Sequence, residues 1–167
     1  MSTHATVRSS KRSPSSENLA IWREYLETSE RLRTMLAARL HADSELSTGD
    51  YIILLALSEA DGKTLRSSEL ADRISWERSR LSHHLRRMES RGVVARQRSV
   101  DDSRGAEVVL TQNGAALFRR ASVPHLRGIQ RLFIEGLDPD LLHQVQNVNR
   151  ALNAHLKRMA AAPTSSN

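Results

Sequence analysis

The chain has 167 residues and no cysteine, and its 25 lysines and arginines outnumber its 19 acidic residues to give a net charge of +6. The length suits one domain with a single hydrophobic core. The basic charge favours a polyanionic partner over a membrane surface, since no basic amphipathic helix carries a bulky aromatic face. Without cysteine the chain cannot sense oxidants through a thiol, and without a long apolar run or a signal-peptide core it is expected to be cytoplasmic.

A single domain is predicted between two tails. Residues 1–16 contain six serines and almost nothing apolar, which is typical of a disordered segment, and residues 161–167 are predicted to be a flexible end. A long amphipathic helix is predicted over residues 18–42, where side chains of one stripe recur at spacings of three and four. The stripe consists of Trp22, Tyr25, Ser29, Leu32, Leu36 and Leu40.

Residues 65–90 predict a helix-turn-helix, because two short helical patterns are separated by about one turn of polar residues. In the second helix, Leu81, Leu85 and Met88 form an apolar stripe that we expect to face the core. Ser79, His83 and Arg86 point away from it, flanked by Arg80 and Arg87. Arginine can pair with guanine edges in the major groove, and serine and histidine can bind bases or phosphates, so this helix is predicted to be a DNA-recognition helix.

Residues 91–114 predict a β-hairpin followed by a new helix start. Gly92 supplies the left-handed residue that ends the preceding helix, residues 93–98 begin an extended strand, and residues 108–110 form its return. The polar residues 101–105 between the two strands are typical of a turn. A hairpin directly after a recognition helix has the outline of a DNA-binding wing.

Two further helices are predicted near the C-terminus. One begins at Thr111, a favourable N-cap, and runs toward Gly136 with an expected kink at Pro124, while the other spans residues 139–159. These helices pack either on their own domain or on a second copy of the chain, and periodicity alone leaves both open. The apolar stripe of the last helix consists of Leu141, Val145, Val148, Leu152, His155 and Met159.

The net charge is concentrated between Lys63 and Arg104, where eleven lysines and arginines stand against six acidic residues, a net charge of +5. The usual explanation of an arginine-rich helix is a solvated charged face. A solvated face does not explain why the charge is concentrated in one helix-turn-helix and its hairpin. A surface that binds the DNA backbone does explain it, because its basic side chains displace counterions from the phosphates. The pattern therefore favours binding to double-stranded DNA.

Residues 91–114 also resemble the signature of the MarR family of winged-helix transcription regulators, which runs R-G-(V/L)-V-x-R, then D-x-R, then V-x-L-T-x-x-G. The similarity extends through WERSRLSHHLRRMESRG and LSTGDYIILLAL and covers about residues 19–156. The matching signature residues are Arg91, Gly92, Val94, Arg96, Asp102, Arg104, Val108, Leu110, Thr111 and Gly114.

The resemblance implies a mainly α fold with a small β-hairpin wing (α+β), in which residues 17–160 form a single MarR-type domain. Residues 47–111 are then the winged helix-turn-helix lobe, and residues 17–46 and 112–160 the helical dimerisation region. It further implies that Arg104 enters the minor groove, supported by Asp102. The predicted DNA-contact residues are Ser79, Arg80, Ser82, His83, Arg86, Arg87, Arg98 and Arg104.

The resulting interpretation is a homodimeric, sequence-specific transcriptional regulator of a pseudo-palindromic operator, and a repressor because most of the family occlude promoters. A small aromatic acid or phenolic effector is a further option, bound by Trp22, Tyr25 and Arg33 or Arg66. The alternative for the two aromatic residues is that they only anchor the first helix. The competing function is a low-specificity architectural or protein-contact winged-helix module.

No enzyme, metal site or cofactor is predicted. The seven histidines show no spacing that places two ligands on one helical face, and His83 and His84 diverge by about 100° on a helix. Both are interpreted as polar residues at the DNA face and at a helix flank. The chain has no glycine-rich phosphate loop, H-E-x-x-H, G-x-S-x-G or cysteine nucleophile.

Overall fold

The computed structural model describes residues 13–98 and 106–161. Short connections include a turn of 3-10 helix at Asp61–Lys63 and a π-helical turn at Gln130–Ile134. The helices are α1 (Ser16–Ser44), α2 (Thr48–Ser58), α3 (Ser67–Arg73), α4 (Arg78–Ser90), α5 (Gln112–Ile129) and α6 (Pro139–Ala161), and the strands are β1 (Thr64–Arg66), β2 (Val94–Arg98) and β3 (Ala106–Leu110). The predicted mainly α fold with a small hairpin is confirmed.

By its contacts the chain divides into two units, Met1–Thr34 and Met35–Asn167. The described part of the first unit is the N-terminal stretch of α1, which exposes Leu19, Ile21, Trp22, Tyr25 and Leu26. The second unit contains every other element. The predicted tails, residues 1–16 and 161–167, lie almost wholly outside the described residues.

The core of the second unit is formed where α2, α3 and α4 pack on the strands. The predicted stripe of α4 is buried, with Leu81, Leu85 and Met88 at most 1% exposed. Because these side chains lie on one side of the helix, the opposite side is left facing outward. Their largest fully buried neighbours are Leu40, Leu46, Ile53, Leu54, Leu57, Leu70, Val93, Val94 and Val108.

The strands form an antiparallel sheet in the order β1-β3-β2. β2 and β3 pair from Val94 with Leu110 to Arg98 with Ala106, which confirms the two strands of the predicted hairpin. The sequence did not reveal β1, which has three residues and pairs with the other edge of β3. The tip between the strands, residues 99–105, lies outside the described residues.

Local signals set the predicted helix boundaries. Gly92 has a φ of +69°, which confirms the left-handed residue after α4, and its N–H donates to the Glu89 carbonyl at 2.9 Å. The Thr111 hydroxyl accepts from the Gly114 N–H at 3.0 Å, as predicted for the N-cap of α5. These two ends position the hairpin between α4 and α5.

α5 continues through Pro124, and the kink at that residue stays a prediction. The departure from α geometry comes six residues later, in the π-helical turn where the Glu135 N–H donates to the Gln130 carbonyl at 2.9 Å. An inserted residue of this kind widens one helical turn. It lies just before Gly136 and the start of α6.

Much of the apolar surface of α5 and α6 is uncovered within one chain. No residue of α6 is buried, and its predicted stripe is largely exposed. The exposed large apolar residues on the two helices are Val123, Leu126, Leu141, Val148, Leu152, Leu156 and Met159.

Replacing two glycines of α5 by alanine should change the free energy of unfolding in opposite directions. A Cβ at Gly114 would overlap the Val93 carbonyl oxygen and lie 2.9 Å from Leu110 Cδ1, so Gly114→Ala should lower the free energy of unfolding by about 2 kcal/mol. A Cβ at Gly128 would lie 3.5 Å from Leu36 Cδ2, an ordinary contact, so Gly128→Ala should raise it by up to about 1 kcal/mol. Thermal unfolding at one fixed protein concentration measures both, and a destabilised Gly128→Ala would contradict this packing of α5.

Candidate nucleic-acid interface

The outward face of α4 is a continuous polar surface. Ser79, Arg80, Ser82, His83, Arg86 and Arg87 are all exposed, and the buried stripe lies on the other side of the helix. The turn before α4 contains Ser75 with a φ of +55°, and it is closed by the Trp76 N–H, which donates to the Ala71 carbonyl at 2.9 Å. The six α4 residues predicted from the sequence are therefore presented together.

Trp76 lies beneath one of these arginines. The Arg80 guanidinium carbon is 4.0 Å from the centroid of the Trp76 ring, a cation–π contact. The ring of His84 meets Trp76 edge-on, with centroids 5.3 Å apart. Both rings lie close to Gly49 of α2, where a Cβ would come within 2.8 Å of Trp76 and 2.9 Å of His84. Sequence reasoning missed Trp76 altogether.

The buried carboxylate of Asp50 connects α4 to α2. Its Oδ1 accepts from His84 Nε2 at 2.9 Å, and its Oδ2 accepts from Arg91 Nη1 at 2.9 Å and from the Ser47 N–H at 3.1 Å. Burial would by itself raise the pKa of Asp50, but the hydrogen bonds from His84, Arg91 and Ser47 together hold this pKa well below its usual range. Asp50 therefore remains a charged acceptor at neutral pH.

The other nitrogen of His84 contacts a second arginine of the outward face. Arg87 Nη2 lies 3.0 Å from His84 Nδ1. A guanidinium can only donate, so this contact makes Nδ1 the acceptor and assigns the ring hydrogen to Nε2, directed at Asp50. The sequence predicts that His83 and His84 are polar residues at the DNA face and at a helix flank. In the structure His83 is exposed, whereas the His84 side chain is directed toward Asp50 of α2.

A second ion pair connects the end of α4 to the hairpin. Glu89 accepts from the Arg96 backbone N–H at 3.1 Å and from Arg96 Nε at 2.8 Å. The side-chain hydrogen bond from Arg96 lowers the pKa of Glu89. Arg96 entered the sequence argument only as a signature position, and in the structure it joins β2 to α4.

The remaining predicted DNA contacts belong to the hairpin. Arg98 is the last residue of β2 and pairs with Ala106 of β3. Arg104 and its predicted support Asp102 lie outside the described residues, so their roles remain predictions.

The predicted effector residues are distributed over both units. The rings of Trp22 and Tyr25 are 6.4 Å apart and exposed, and Arg33 lies 4.0 Å from Glu30 on the same helix. Arg66 ends β1 and precedes α3 in the second unit. Within residues 13–98 and 106–161 there is no group of three or more His, Asp or Glu side chains suited to a metal ion, and no described helix is long and apolar enough to span a membrane.

Sequence comparison places the chain among transcriptional regulators. The family pattern of the SarA/Rot transcriptional regulators matches residues 36–120, about half of the chain. The organic hydroperoxide resistance transcriptional regulator of Bacillus subtilis is 34% identical over 71 residues, which are 42% of this chain. The match spans about half (47%) of the length of that relative.

Two solved structures from Streptomyces coelicolor are similar over nearly their whole length. AbsC, a MarR family transcriptional regulator, is 33% identical, with a TM-score of 0.82 over 88% of this chain and 99% of AbsC. Sco3205, a MarR family transcriptional regulator crystallised in complex with DNA, is 28% identical, with a TM-score of 0.83 over 93% of this chain and 94% of Sco3205.

The Asp50 network leads to a pH-dependent prediction. Asp50→Asn should lower the free energy of unfolding by about 2 kcal/mol at pH 7, because His84, Arg91 and the Ser47 N–H lose a charged acceptor. The folded-state pKa is depressed, so the stabilisation is complete above the unfolded pKa of about 3.9 and is lost as the pH falls from there toward the folded pKa.

Denaturant unfolding between pH 7 and pH 3 measures this effect. The difference between the wild type and Asp50→Asn should shrink as the pH falls from about 4 to 3, where the wild-type carboxylate begins to lose its advantage. Asp72→Asn removes an exposed carboxylate of α3 as the control and should cost less than about 0.5 kcal/mol. A difference that stays unchanged or grows between pH 4 and pH 3 would contradict the assigned role of Asp50.

Proposed function

The chain belongs to the MarR family of winged-helix transcriptional regulators, and from this we propose that it acts as a homodimer that binds a pseudo-palindromic operator and represses transcription by occluding the promoter. The proposal rests mainly on the outward face of α4. Its six donor-bearing side chains are exposed, whereas the apolar stripe of the same helix is fully buried. The paired hairpin of β2 and β3 follows directly in the chain.

The chemistry of this face suits the major groove. Arg80, Arg86 and Arg87 can each donate two hydrogen bonds to the O6 and N7 atoms of guanine, and Ser79 and His83 can reach bases or phosphates. The groove is about 12 Å wide and accepts one helix such as α4. Arg98 and Arg104 of the hairpin are assigned to the DNA backbone and the minor groove.

A second copy of the chain is the proposed partner of the uncovered apolar surface. Soluble monomers seldom expose large contiguous apolar patches, and α6 alone exposes Leu141, Val148, Leu152, Leu156 and Met159. A two-fold dimer would place its recognition helices in successive major grooves about 34 Å apart, which requires half-sites separated by about one helical turn.

Release by a small aromatic acid or phenol is part of the proposal. Such a ligand would have to bind an arrangement with a different spacing of the recognition helices better than the DNA-competent one. The adjacent rings of Trp22 and Tyr25 are the proposed aromatic contacts, and Arg33 or Arg66 the proposed partner of a carboxylate.

Selection of duplexes from a random DNA pool at about 150 mM salt tests sequence-specific binding, because nonspecific attraction is already weakened there. The wild type should enrich a pseudo-palindrome. Arg86→Ala should lose preference at about one base pair in each half-site and bind the wild-type site about tenfold more weakly. Arg120→Ala removes the same charge from α5, outside the helix-turn-helix and hairpin, and should select the wild-type site.

An unenriched pool combined with strong binding at low salt would contradict this proposal. The architectural or protein-contact alternative would then describe the protein better, because a basic surface attracts any duplex through its phosphates. If the Arg86→Ala protein and the wild type prefer the same bases, the proposed role of α4 in recognising the DNA sequence is contradicted.

The dimer is tested with charged substitutions on the exposed stripe of α6. Leu152→Glu combined with Leu156→Glu should give a monomer in analytical ultracentrifugation, because an apolar interface would have to bury two unpaired carboxylates. Gln146→Glu combined with Ala154→Glu adds the same charge on the opposite side of the helix and should remain dimeric. A dimer that survives the first pair of substitutions would place the interface elsewhere.

A further inference from the structure

We propose that Trp76 and His84 are positioning residues for DNA recognition: Trp76 holds Arg80 and His84 holds Arg87, so both arginines have a defined orientation before DNA arrives. The proposal rests on the proposed function and adds specific roles for two residues that do not themselves lie on the predicted DNA-contact face.

Trp76 is fixed from the protein side. Its backbone N–H donates to the Ala71 carbonyl at 2.9 Å, which holds the residue at the start of α4. Its ring is partly buried and lies so close to Gly49 that an added Cβ would come within 2.8 Å of it. Because the ring is packed on the backbone of α2, it offers Arg80 a firm surface at 4.0 Å.

This contact leaves the hydrogen bonds of Arg80 available. A cation–π contact uses the flat face of the guanidinium, whereas its N–H donors lie around the edge of the plane. Arg80 is itself exposed, so the edge can reach a base or a phosphate while the face remains on Trp76. The aromatic ring thus restricts the side chain without occupying its donors.

His84 holds Arg87 through two consecutive hydrogen bonds that begin at the Asp50 carboxylate. The buried Asp50 carboxylate accepts from Nε2 at 2.9 Å, and this fixes the ring and leaves Nδ1 as an acceptor for Arg87 at 3.0 Å. Only one guanidinium nitrogen is used in this bond, and within residues 13–98 and 106–161 the other donors of Arg87 have no protein partner. The side chain of His84 is only 12% exposed, so its geometry is set by the protein rather than by solvent.

The energetic effect is to reduce the entropy lost on binding. An arginine side chain has many rotamers, and part of that conformational entropy has already been given up in the free protein when the guanidinium is held in place. Arg86 lies on the same face, and within the described residues it takes part in neither contact. It therefore provides an internal comparison for both arginines.

The first test needs no DNA. Side-chain ¹⁵N relaxation of the arginine Nε groups in the free wild-type dimer should give higher order parameters for Arg80 and Arg87 than for Arg86. Trp76→Leu should lower the value for Arg80 alone, and His84→Gln, which keeps an N–H donor toward Asp50 but has no acceptor at the position of Nδ1, should lower that of Arg87 alone. Arg80 and Arg87 side chains as mobile as that of Arg86 would overturn the proposal, whatever DNA the protein binds.

The second test measures coupling in DNA binding, with the duplex selected by the wild type as probe. Trp76→Leu should weaken binding about fivefold in the wild-type background but less than about twofold in Arg80→Ala, since the effect of Trp76 passes through Arg80. His84→Gln should show the same dependence on Arg87. Both substitutions should keep their full effect in Arg86→Ala, which is the matched control.

A penalty that is equal in all backgrounds would show a purely structural role and overturn the proposal. Trp76→Phe covers the case in which Trp76→Leu does not fold: it keeps an aromatic face and should retain most of the affinity, and its remaining loss should also disappear in Arg80→Ala. If the wild type selects no duplex, the proposed function fails, and the relaxation measurement still decides whether the two arginines are held.

Discussion

A buried carboxylate that must be fully paired is the constraint on which the position of α4 depends. Asp50 is 5% exposed, and a charge in that position is tolerated only when donors surround it. Those donors come from the cap of α2, from the middle of α4 and from the residue after α4, so one side chain holds α4 both in its middle and at its end. The position of α4 on the core is thus an electrostatic requirement as well as a matter of apolar packing.

Apolar packing and polar contacts have different tasks in this lobe. Leu81, Leu85 and Met88 decide which side of α4 is buried, but a hydrophobic stripe is non-directional and restricts the side chains on the other side only weakly. The directional contacts supply that restriction: the Trp76 ring under Arg80, the His84 ring beside Arg87, and the Glu89 pair that joins α4 to β2. The result is a polar surface in which Arg80 and Arg87 each have a directional contact to the protein beneath them.

The sequence was informative wherever a signal is local. Helical spacing predicted the buried stripe of α4, Gly92 and Thr111 predicted helix boundaries, and short apolar runs on either side of a polar turn predicted β2 and β3, since each pattern lies within a few residues. The sequence did not reveal the partners of Asp50, because His84 and Arg91 are 34 and 41 positions away and periodicity indicates a face but not what packs on it. β1 is too short to show a pattern.

A crystal structure of the protein bound to a duplex that it selects would decide whether the outward face of α4 recognises DNA. We expect a two-fold complex in which α4 of each copy lies in the major groove, with Arg80, Arg86 and Arg87 directed at base edges or phosphates and the centres of the two half-sites about one helical turn apart. A complex in which α4 faces solvent, or in which the duplex contacts another surface of the chain, would contradict it.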